Sequence, residues 1–102
     1  MRGMHTILLA AVVAVTVHIK MFAFTPPTVH VPQGATVRFV NDDSEAHTVT
    51  AVDHSFDSGG LDTGDGWTYT FAKAGRYAYF CALHPYMKGT VVVDAPSGGG
   101  KK

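Results

Sequence analysis

The sequence has a single cysteine, Cys81, so no internal disulfide can form and no centre that needs two cysteines can be built within one chain. It lacks an excess of charge of either sign. Lys plus Arg number 8, Asp plus Glu number 8, and no block of like charge runs along the chain, which argues against a nucleic-acid partner. It also lacks an apolar stretch long enough to cross a bilayer as a helix, which takes ~20 residues. The run from Ile7 to Val17 is too short and has the length of a leader's apolar region. Finally, there is no convincing helical period between the two ends. What remains is a chain of 102 residues, long enough for one core that needs no disulfide staple.

Both ends stand apart. Residues 1–14 read either as a cleaved leader, with Arg2 ahead of the apolar run, or as an N-terminal strand. The strand reading rests on Val15, Val17, Ile19 and Met21 alternating with Thr16, His18 and Lys20. Residues 95–102 (Ala-Pro-Ser-Gly-Gly-Gly-Lys-Lys) can bury almost nothing and are expected to form a flexible tail.

Residues 15–94 carry short β-branched and aromatic runs separated by Gly, Pro, Asn and Asp, the pattern of an all-β sandwich or barrel. The expected strands are Val15 to Met21, Thr28 to Val31, Ala35 to Asn41, His47 to Val52, Trp67 to Phe71, Gly75 to Cys81 and Thr90 to Asp94. Period two puts Trp67, Tyr69 and Phe71 on one face, and Tyr77, Tyr79 and Cys81 on one face of the next strand. Cys81 therefore ends a strand and points inward. Residues 52–67, rich in Gly and Asp, read as a long surface connection.

The chemistry concentrates in Cys81-Ala82-Leu83-His84-Pro85-Tyr86-Met87. A thiolate, an imidazole and a thioether at steps of three, between two strands, form a soft donor set that selects copper, and two His, one Cys and a weak Met make an electron-transfer site. The missing imidazole is best supplied by His47, which follows the polar turn Asn41 to Glu45 and can lie at the same end of a sandwich. A lone cysteine or methionine would ordinarily be core filler, so the weight lies on the spacing. A thiol nucleophile with His84 as base lacks an orienting third group, and a thioether is a poor zinc ligand. The remaining histidines, His5, His18, His30 and His54, lie outside the motif and are read as solvated side chains.

From about Val15 to Asp94 the chain resembles the cupredoxins, and within them the amicyanins. The marks are Ala74-Gly75-Arg76-Tyr77-x-Tyr79-x-Cys81, the short run Leu83-His84-Pro85-Tyr86-Met87-Lys88-Gly89, and upstream Val31-Pro32-Gln33-Gly34 and Asn41-Asp42-Asp43-Ser44-x-x-His47. The resemblance implies a Greek-key β-sandwich that binds one copper ion through His47, Cys81, His84 and Met87. It implies a monomeric electron carrier, periplasmic or otherwise exported, and not an enzyme. Redox proteins would dock near His84, Pro85 and Tyr86. Two positions depart from the pattern. Where many members carry an Asn after the first His and a Ser or Thr after the Cys, this chain has Thr48 and Ala82, so the tie between those two loops is expected to be absent or rebuilt. The connection 52–67 resembles plastocyanin-type bacterial proteins more than amicyanin. A carrier that hands over the copper ion itself is the competing reading, with Met4 and His5 as its weak hint.

Overall fold

The computed structural model describes residues 12–96 as eight strands. They are β1 (Val13–Lys20), β2 (Ala23–Thr25), β3 (Thr28–Pro32), β4 (Thr36–Asn41), β5 (Thr50–Ala51), β6 (Gly66–Thr70), β7 (Gly75–Cys81) and β8 (His84–Asp94). They form two four-stranded sheets, in the orders β2-β1-β4-β6 and β3-β8-β7-β5. The pairs β1/β4 and β3/β8 are parallel and the others antiparallel. The architecture is thus the expected all-β sandwich. Among the described residues no helix is long and apolar enough to cross a membrane. The apolar segment ahead of Val12, with Met4 and His5, and the glycine-lysine end lie outside the described residues.

Alternation fills the space between the sheets. Val17 and Ile19 of β1 and Val37 and Phe39 of β4 face Tyr79 of β7, Val91 and Val93 of β8 and Val31 of β3, and all are buried. Each such side chain contributes ~1.5–3 kcal/mol by leaving water, which favours the stacking of the two sheets. Tyr79 lies directly opposite Gly89, where any side chain would run into its ring. The Tyr79 ring also meets Phe39 and Phe24 edge-on.

The first strand ends at Lys20 rather than Met21, which lies exposed in a turn, and three further features differ from the pattern reading. Of the expected strand His47 to Val52, only Thr50–Ala51 joins a sheet. The backbone before it pairs instead with the folded-back connection: His47 and Leu61 exchange both hydrogen bonds (3.1 and 2.7 Å), and Ser58 donates to the Val49 carbonyl. That connection is therefore not merely a surface excursion, because Phe56 and Leu61 plug into the core. The strand β2 leaves no pattern in the sequence, because three residues between Met21-Phe22 and Pro26-Pro27 are too short to carry a period. The strand β8 starts at His84 rather than Thr90, because Ala82 and Leu83 make a tight turn that sets His84 directly across from Cys81. The register then shifts, since Phe80 already pairs with Lys88, and residues 85–87 form a bulge.

Candidate metal centre

His47 is positioned by a buried amide. The Asn41 side chain donates to the carbonyls of Glu45 and Leu61 (both 2.8 Å) and accepts the Asp43 N–H (2.9 Å), which fixes the turn 41–45 beside residue 61. The exchange of hydrogen bonds with Leu61 then places the fully buried His47. Its Nε2 lies 2.8 Å from Asp43 Oδ2. An ionised carboxylate can only accept, so Nε2 donates this bond, which leaves Nδ1 as the nitrogen that can face a metal. Asp43 is held below the usual carboxylate range, first by the Phe22 N–H it accepts and then by His47.

Cys81 ends β7 fully buried, as its inward phase requires. The Thr48 N–H donates to its Sγ at 3.3 Å. The Thr48 hydroxyl accepts the Ala82 N–H at 2.7 Å. The direction of the chain of bonds beyond it follows from its end: Asp57 can only accept, so Thr50 donates to Asp57 (3.2 Å) and Thr48 donates to Thr50 (2.8 Å). The tie between the two loops is thus rebuilt from one side chain and one backbone amide. Hydroxyl and N–H of the same threonine grip both Ala82 and Cys81.

His84, half-buried at the start of β8, completes the group. Cys81 Sγ lies 3.6 Å from His47 Nδ1 and 3.7 Å from His84 Nδ1. One donor atom from each of the three residues falls within 4.8 Å of the others. Metal bonds of ~2.3 Å to sulfur and ~2.0 Å to nitrogen, opened at roughly 120°, put sulfur and nitrogen about 3.7 Å apart. The donors present therefore fit one trigonal metal ion. Met87 is buried in the inward row of β8 with Gly89 and Val91. The other histidines stay away: His18 pairs with Asp42, His30 approaches Asp94, and His54 is exposed, while His5 lies outside the described residues.

Sequence reasoning passed over Asp43 and Phe22. The spacing of Asp43 four residues before His47 was a usable signal, but none connects Phe22 to the motif. Its ring stands edge-on to both imidazoles, with centroids 5.2 Å from His47 and 5.0 Å from His84.

Comparison with known proteins points the same way. Residues 5–93 match the model of the cupredoxin-like domain. The chain is 36% identical to amicyanin from Paracoccus versutus over 86 residues, 79% of this chain and 65% of that protein. With amicyanin from Paracoccus denitrificans it shares 33% over 86 residues, 79% of this chain and 66% of that one. The chain thus spans just under two thirds of the length of these two relatives. Among solved structures, a purple cupredoxin from Nitrosopumilus maritimus superposes with a TM-score of 0.75 at 30% identity, covering 78% of this chain and 98% of that one. A copper(I) form of an amicyanin variant gives 0.76 at 31% identity, covering 83% and 86%.

Proposed function

Because the chain belongs to the cupredoxin-like family, we propose that it is a small blue-copper electron carrier, with one copper ion held by His47, Cys81, His84 and Met87. The observation that carries this reading is the convergence of two imidazole Nδ1 atoms on the sulfur of one buried cysteine, 3.6 and 3.7 Å away. When bound, copper alternates between its +1 and +2 states and so stores or releases one electron. The chain's own contribution is stiffness. Asp43 keeps His47 in one tautomer and orientation, and the Thr48 grip on Ala82 and Cys81 fixes the β7–β8 turn. The donors then need not move when the charge changes, which keeps the cost of reorganisation small.

Burial separates the carrier from the competing role of handing over the ion. A chaperone must offer its donors to an incoming partner, whereas Cys81 and His47 are fully buried and Met87 is 2% exposed. Half-buried His84 is the accessible donor, next to exposed Leu83, Pro85 and Tyr86. Apolar side chains of this kind suit brief docking of a redox protein, with His84 as the port for the electron. The carrier acts as a monomer in the periplasm or another exported location, and it is not an enzyme. The test is to add copper(II) to the purified protein. The expected result is an intense blue or purple colour that bleaches on one-electron reduction and returns on oxidation. A colourless copper(I) complex that exchanges its ion within minutes would establish the chaperone instead.

A further inference from the structure

The turn between β1 and β2 is a two-residue hairpin, with Lys20 paired to Ala23 and both central residues at positive φ, 53° for Met21 and 57° for Phe22. Hairpins of this kind favour Asn-Gly, because a bulky side chain in the left-handed region is sterically strained. An aromatic residue there calls for a compensating gain. The backbone does not explain it: the Phe22 N–H donates to Asp43 Oδ2 at 2.9 Å, but any residue in this conformation except proline would do the same. What only the side chain brings is the ring. It is 36% exposed and stands at 90° to His47 and 86° to His84, while the two imidazoles are themselves 5.0 Å apart.

We propose that Phe22 is a positioning residue for the metal centre: its ring is a plate that holds His47 and His84 in their convergent arrangement and keeps water from the rim, against the strain of its own backbone. The contacts themselves are independent of the ion, whereas their effect on copper rests on the function proposed above. His84 is the donor that most needs such a stop. It is only half-buried, and its Nδ1 approaches Cys81 Sγ at 3.7 Å, whereas His47 is also held by the Asp43 carboxylate at 2.8 Å.

Phe22→Gly separates the two effects, because it relieves the strained backbone while removing the plate. In the copper-free protein, NMR should show the His84 ring resonances shifting and broadening while the sheets remain intact. In the copper-loaded protein, the visible spectrum should change, the potential should move, and copper(II) should pass to a chelator ~10–100-fold faster, the usual scale for losing a group that orients a ligand. Phe22→Tyr should restore all of these. Met21→Gly relieves the neighbouring residue but leaves the ring, and should leave the site as it is. If Phe22→Gly keeps the wild-type spectrum, potential, release rate and His84 resonances, the plate is disproved. If the wild-type protein forms no coloured copper(II) site at all, the copper reading fails, and the His84 resonances of the copper-free variants still decide whether Phe22 holds the ring. A Phe22→Gly protein that does not fold, beside a folded Phe22→Leu protein with wild-type values, would assign Phe22 to packing alone and overturn the proposal.

Discussion

Thr48 holds Ala82 by its hydroxyl, at 2.7 Å, and Cys81 by its backbone N–H, at 3.3 Å. One residue beside His47 thus clamps the strand end that carries the thiol. Thr48→Val keeps the shape and removes the hydroxyl that accepts the Ala82 N–H, at a cost of about 0.5–1.5 kcal/mol. The variant should fold, unfold at lower denaturant, and bind copper(II) more weakly with a broadened visible band. Unchanged stability, measured by denaturant titration of the copper-free protein, would mean that the tie is of no consequence.

Cys81→Ser should abolish the intense visible absorption and electron transfer, because an alcohol cannot supply the soft sulfur donor. The sandwich should survive, since its core of Val, Phe and Tyr side chains does not depend on the ion. Circular dichroism and the copper(II) spectrum, taken together, check both halves. A fully coloured variant would remove Cys81 from the site.

Met87→Leu should retain colour and raise the reduction potential, because losing a weak donor and drying the site disfavour the more highly charged ion. Met87 is buried, so a residue of similar volume costs under ~1.5 kcal/mol in packing. Voltammetry gives the answer. A potential that stays the same or falls would place the thioether away from the metal.

Asp43 sets an acid limit on the copper-free protein. Its carboxyl is held below its ordinary range by the Phe22 N–H and by His47. A group depressed on folding contributes stability that is complete above its unfolded value of ~3.9 and is lost as pH falls through the folded value. Asp43→Asn should therefore cost about 1 kcal/mol near neutral pH, the usual net worth of such a hydrogen bond, and the gap from wild type should close below about pH 4. Denaturation of both proteins across that range checks the sign. A gap that persists unchanged in acid would show that ionisation is not its source.

The motif Cys81 to Met87 was legible because its donors are neighbours in the chain and their spacing is a local property. The inward phase of Tyr77, Tyr79 and Cys81 was equally legible, because alternation in a strand is written residue by residue. The sequence alone therefore determined the all-β class, the inward cysteine and the candidacy of the four donors. It did not determine the strand ends, because His47 pairs with Leu61 rather than with a sheet, and β8 begins three residues after Cys81 through a tight turn. Nor did it show that Thr48 takes over the tie to Ala82, that Asp43 serves both Phe22 and His47, or that Phe22 stands against two imidazoles. Apart from Asp43 and His47, which are four residues apart, those contacts join residues far apart in the chain, and only the stacking of two sheets and a strained hairpin brings them within reach. Side-chain patterns record which face is buried. Which distant turn closes over that face is decided by packing in three dimensions.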